Sequence, residues 1–237
     1  MIAVFATYRM LLRQQLTTGR LILVAGFSAL GLAVAFAIGR TDSFTRIDDS
    51  VGFISGYGLG LMVPIISLVL GSSTFGESVD DETLVYIWHR PVARWKLALA
   101  ATLSASTAAI PLTAIPLTGA AYLASGDSTM TWATAVSAAC AAFAYSALFV
   151  FVGLLLRRAL IWGLVYLFIW ELFIASVGGG SAQLSIRTYP TSILARLTDV
   201  DIRLADSSVS TGIIVSVAIG LAAVALTSWR LDRMDVA

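Results

Sequence analysis

Few side chains in this 237-residue sequence could do chemistry, and their spacing limits what that chemistry is. His89 is the one histidine and Cys140 the one cysteine. That pattern offers no multi-histidine metal site, no cysteine-based cluster and no intramolecular disulfide. Lys96, the one lysine, follows Trp95 and belongs to no Gly-x-x-x-x-Gly-Lys phosphate loop. ATP, where it is used, is therefore expected to be hydrolysed on another chain. His89 reads as an interfacial side chain rather than a ligand or base. Two features remain: Glu171, a carboxyl inside an apolar run, and an acidic-then-basic stretch over residues 77–96.

The elements that carry these residues follow from composition. The chain is 58% hydrophobic and 12% charged, with a mean hydropathy of +0.89 and a net charge of +1. Soluble domains have about 25% charged residues, so too little polar surface is left to cover a water-soluble globule. The near-zero charge and the absence of a long basic patch argue against nucleic-acid binding. The sequence predicts an all-α integral membrane protein in a single domain over residues 1–237.

A spanning helix needs about 20 mostly apolar residues. Six segments are expected to cross: Leu21–Gly39, Gly52–Phe75, Leu97–Leu123, Trp132–Leu156, Leu160–Val177 and Gly212–Trp229. Glu171 is their one formal charge. Ala35-Phe36-Ala37 looks like a cleavage site, yet the run from Leu21 exceeds a 7–15-residue signal core, so an uncleaved anchor is expected. With the N-terminus inside, ten basic residues fall on the cytoplasmic side and five outside. That bias predicts both termini in the cytoplasm.

Outside the spans, Met1, Phe5, Tyr8, Leu12 and Leu16 recur at helical spacing with Arg9 and Arg13 set apart. They predict an interfacial helix over residues 1–20 whose arginines reach phosphate head groups. In the loop after span two, Ser78 can cap a helix with Asp80, Asp81 and Glu82 in its first turn. Leu84, Val85, Ile87 and Trp88 give that helix an apolar stripe, and Pro91 stops it. Such a segment, 76–96, could pass force from a soluble partner or serve as an ordinary interfacial loop. The external stretch 178–211 carries Ile193, Leu197, Val200 and Leu204 opposite Arg196, Asp199, Arg203 and Asp206. It predicts a helix after Pro190 lying on the outer leaflet.

Three readings of Glu171 stay open: a hydrogen-bonded or protonated structural carboxyl, a group lining a pathway, or one that water reaches from outside. Proton coupling would need a relay of ionisable groups, and the spans supply one. Gly52, Gly56 and Gly60 form a small-xxx-small face that suits close helix packing. Pro64, Pro111 and Pro116 interrupt spans two and three.

Glu77, then Glu82-Thr83-Leu84, then Arg90-Pro91-Val92-Ala93-Arg94-Trp95 resembles a cytoplasmic segment of type-2 ATP-binding-cassette (ABC-2) permeases. A second likeness lies in Tyr166…Trp170-Glu171 followed by Leu184-Ser185-Ile186-Arg187. The sequence departs at Glu82, where a Gly often precedes the Thr-Leu pair, and at Ala100-Ala101, where a Lys often follows. The resemblance implies a permease subunit of an exporter: six helices, a second permease copy or paralogue, and a cytosolic ATPase dimer holding ATP and magnesium. It implies that the segment with Glu77, Asp81, Glu82, Thr83, Leu84, Arg90, Pro91 and Arg94 is a coupling helix on the ATPase. No cofactor is expected on this chain. A non-transporting scaffold and an intramembrane enzyme using Glu171 are the rival readings.

Overall fold

The structure, a computed structural model, describes residues 2–40, 46–80, 93–174, 183–202, 205 and 207–233. Among them every regular element is a helix and no strand occurs. The chain runs through α1 (Ile2–Gln15), α2 (Thr18–Ile38), α3 (Arg46–Phe53), the wide-turned helix π1 (Ile54–Met62) and α4 (Val63–Asp80). It continues through α5 (Arg94–Ser125), α6 (Ser128–Leu155), α7 (Ala159–Val165), a second wide-turned helix π2 (Tyr166–Ile174), α8 (Thr188–Thr198) and α9 (Val209–Arg233).

Five helical stretches are long and apolar enough to cross a membrane: α2, the run Arg46–Gly76, α5, α6 and α9. Ala159–Glu171 is a shorter apolar helix. Five of the six expected spans fall on these long helices; the remaining one, Leu160–Val177, coincides in part with the shorter helix, and its last residues, 175–177, lie outside the described residues. The outer surface agrees with a lipid environment. Ile115, Ile214, Leu221 and Phe36 are 68%, 66%, 60% and 51% exposed, a display that a water-soluble monomer does not tolerate over so large an area.

The middle of the bundle is α4, α5 and α6, packed through small residues. A Cβ on Gly153 would stand 2.6 Å from the Ser72 carbonyl oxygen, and one on Gly71 would stand 2.9 Å from that of Ser146. With Ala138, Ala141, Ala142 and Ala144 fully buried beside them, the backbones approach closely enough for dispersion to hold helices that gain nothing from expelling water. Between α5 and α6 the chain turns in two residues. Gly126 takes φ +70° and its N–H bonds Tyr122 O at 2.9 Å, while Asp127 Oδ2 accepts the Met130 N–H at 2.9 Å. The glycine supplies the left-handed conformation and the aspartate caps the next helix.

The prolines act less than their spacing suggested. Helix α5 runs unbroken through Pro111 and Pro116. Pro64 sits in the first turn of α4, directly after π1, so the missing N–H and the ring clash are taken up by the wider preceding turn. Helix α4 also continues through Ser78 to Asp80. Ser78 therefore lies within the last turn of α4, past the apolar run that ends at Gly76, and the rest of the expected helix from Asp81 lies outside the described residues.

Helix α1 packs on the bundle through Thr7, Leu11 and Gln15, all buried, one step round from the Phe5–Tyr8–Leu12–Leu16 stripe. Gln15 Nε2 donates to Thr74 Oγ1 at 2.8 Å and to Ser104 Oγ at 3.1 Å. Phe5 stays outside, 65% exposed. Leu11 shares one buried cluster with Phe75, Leu97, Leu154 and Leu231. The first helix, the last helix and both flanks of residues 81–92 therefore meet at one end of the bundle.

At the other end α8 differs from the expected surface helix. It begins at Thr188, holds Pro190 in its first turn and closes at Asp199 with φ +53°. Ile193 and Leu194 are fully buried, and the helix packs against α6 and α9 rather than lying outside them.

Candidate functional site

The polar centre of the protein forms around Glu171, which is 1% exposed. Its Oε1 accepts the Tyr166 hydroxyl at 2.8 Å and the Ile186 N–H at 3.1 Å. Its Oε2 accepts the Ser185 hydroxyl and, at 3.4 Å, the Arg187 N–H. Two donors on each oxygen fill about the four acceptor sites that a carboxylate offers. This is how a buried carboxyl is held: hydrogen bonds replace the water it has lost.

Each donor is set by local structure. On an α-helix, residues five apart point about 140° from each other, so Tyr166 could not reach Glu171. The π2 helix pairs i with i+5, which brings the two side chains onto one face. Ser185, Ile186 and Arg187 form the turn entering α8 and present a hydroxyl and two successive N–H groups toward the carboxylate.

Arg187 extends the cluster to span two. Its Nη2 donates to Ser55 O at 3.1 Å, and its guanidinium lies over Gly60, where a Cβ would stand 3.0 Å from Cζ. Burial pushes the guanidinium below its ordinary range, and the neighbouring Tyr145 and Glu171 oppose that shift. Among the described residues, the Arg187 Nε and the Tyr145 hydroxyl are both buried without a hydrogen-bond partner. Tyr145 stacks on Phe149 at 6.0 Å, and Phe149 meets the edge of Tyr166 at 6.5 Å. The cluster thus joins π1 of span two, α6, π2 and the turn before α8.

Chemically this is a clamp. Both Glu171 oxygens are engaged by donors of the chain itself. Sequence reasoning found Glu171 but not its donors Tyr166, Ser185, Ile186 and Arg187 as a group, nor Ser55, which accepts from Arg187. The signal was nonetheless present. Tyr166…Glu171 and Ser185-Ile186-Arg187, quoted above as one family likeness, are the two pieces that meet.

The other expected residues fall elsewhere. Asp81, Glu82, Thr83, Leu84, Arg90 and Pro91 lie outside the described residues. Glu77 is in the last turn of α4 and Arg94 opens α5. Gly60 packs under Arg187, whereas a Cβ on Gly52 or Gly56 would meet nothing within 4 Å. Within the chain, close helix approach falls to Gly71 and Gly153 instead. Compared with known proteins, the chain matches no protein-family model and no curated sequence.

Proposed function

We propose that this chain is the six-span permease subunit of an ABC-2-type exporter in the cell membrane, with both termini cytoplasmic. It works beside a second permease copy or paralogue and is driven by a separate ATPase dimer. The observation that carries this reading is the acidic-then-basic segment 77–96 between two apolar spans, with its likeness to a coupling helix. Support also comes from the cluster of Leu11, Phe75, Leu97 and Leu231. It puts helix α1 beside both flanks of that segment and gathers the first and last helices at one end. An even number of crossings satisfies that arrangement, with α7 and π2 supplying the crossing that the five long helices lack.

In this mechanism the ATPase moves residues 77–96 and α1, and α4 and α5 carry the displacement along the bundle as rigid rods. At the far end the Glu171 clamp ties spans two and five to the segment entering α8. Movement of one against the others changes access to the exit side.

The test is a mild-detergent pull-down of the tagged chain, with mass spectrometry and an ATPase assay on the eluate. A stoichiometric nucleotide-binding subunit with vanadate-sensitive hydrolysis is expected. Replacing Glu82, Leu84 and Arg94 together is expected to detach that subunit while the bundle stays folded. A clean chain with no ATPase under gentle extraction would favour a scaffold or assembly subunit.

A further inference from the structure

Helix α1 has more apolar surface than the bundle uses. Thr7, Leu11 and Gln15 face the protein, while Phe5 and Leu16 stay exposed further round the helix. Arg9 and Arg13 stand two residues either side of Leu11, about 160° round from it, and both are exposed. With Phe5, Ala6 and Met10 they line an open hollow of about 490 Å³. None of these described lining residues is acidic, and α1 itself has no acidic residue.

We propose that this outer side of α1 binds anionic phospholipid of the bilayer, and that the bound lipid holds α1 against the rest of the bundle. Like charges four residues apart on a helix repel each other. A phosphate between Arg9 and Arg13 removes that repulsion, and guanidinium donors match its oxygens in pairs. The exposed Phe5, stacked on Tyr8 at 6.4 Å, supplies the aromatic surface that settles at a membrane–water boundary.

The position of α1 selects a lipid over a soluble anion. It ends at Gln15, and α2, a helix long and apolar enough to span, starts at Thr18. A link that short reaches about 10 Å at most, so the end of α1 lies at the level where α2 enters the bilayer. There the arginines meet head groups while Phe5 and Leu16 meet the acyl boundary. The inner side of the same helix carries Gln15, whose amide bonds Thr74 on α4 and Ser104 on α5. Lipid charge at Arg9 and Arg13 therefore governs how firmly α1 ties those two helices together.

The full-length chain, with no other protein added, is placed in nanodiscs of phosphatidylcholine with or without phosphatidylglycerol. Amide hydrogen exchange of residues 2–15 is then followed by mass spectrometry. Phosphatidylglycerol is expected to slow that exchange by about 20-fold, about fivefold for each arginine. R9Q with R13Q abolishes the difference between the two lipids. Exchange of that variant in phosphatidylcholine stays as in the wild type, because both side chains are exposed. R9K with R13K keeps most of the difference, which separates charge from packing. Arg233, stacked over Trp229 at 4.5 Å, lies two residues past Leu231 at the same end of the bundle; R233Q leaves the difference in place. Equal exchange of the wild type in both lipids, or an equal loss in R233Q, overturns the proposal. Inorganic phosphate that reproduces the slowing in phosphatidylcholine also overturns it, by assigning the pair to a soluble anion. Because no ATPase is present, each of these outcomes is independent of the permease reading.

Discussion

Arg187 reaches across 132 residues of sequence to donate its Nη2 proton to Ser55 O at 3.1 Å. The bond is possible because position 60 has no side chain, so the guanidinium rests on the bare backbone of π1. G60A is expected to displace it and to destabilise the protein by about 1–3 kcal/mol, as overpacking does. Unfolding in detergent reads the loss. Accessibility of a cysteine placed at Gln183 reads whether the α8 entry turn has come loose. An unchanged stability would mean that Arg187 moves aside without consequence.

The Glu171 clamp predicts an order of effects. E171Q puts an amide N–H where Ser185 and Arg187 already aim donors. It is expected to cost about 3 kcal/mol, since more than one buried donor loses its acceptor. Y166F deletes one donor and leaves the Ile186 bond to the same oxygen, at a cost of about 1.5 kcal/mol. Both are measured as shifts in thermal midpoint. A harmless E171Q would show that the carboxyl needs no more than an amide can give.

Two kinds of glycine separate internal packing from any outer contact. G71A and G153A push a methyl group to within 2.9 and 2.6 Å of backbone oxygens. Neither backbone can yield cheaply, so folded yield is expected to collapse. G52A and G56A meet open space and replace a poor helix former with the best one, which leaves the isolated chain as stable or more so. Loss of a higher oligomer in G52A or G56A, with the monomer intact, would show that a partner covers this face. Size-exclusion chromatography with light scattering distinguishes the cases.

Helix α1 is tied to the bundle by Gln15. Q15L removes the donor to Thr74 Oγ1 and Ser104 Oγ and is expected to cost about 1–2 kcal/mol. The effect is local, so limited proteolysis near residues 13–18 should quicken before global unfolding does. Proteolysis no faster than in the wild type would assign the docking to Leu11 alone.

Hydropathy alone made the helices legible, because a lipid-facing surface is written in side-chain type. The first, third, fourth and sixth expected spans lie within the helices α2, α5, α6 and α9, apart from one terminal residue at Gly39 and one at Leu156. What sequence could not show was which apolar stripe faces inward. Leu11 rather than Leu12 is buried, because α1 has apolar residues on two sides and the bundle takes the one that also offers Gln15 to Thr74. The same holds for α8, whose Ile193 and Leu194 sit inside the protein while Leu197 stays partly exposed. Tyr166 escaped as a partner of Glu171 because α-helical spacing separates them, and nothing in composition announces a change of helical pitch. The glycine face was visible as a pattern, but pattern does not say whether the neighbour belongs to the same chain.

The two-residue turn at Gly126-Asp127 has a consequence for biosynthesis. It joins helices of 32 and 28 residues that, among the described helices, pack on each other more extensively than any other pair. Asp127 is the one acidic or basic residue in this connection. A hairpin with so little polar cargo inserts as a single object, and its contacts are local enough to form as soon as Leu155 is made. The helices made before it and after it then assemble on this hairpin, so the order of construction departs from the order of synthesis.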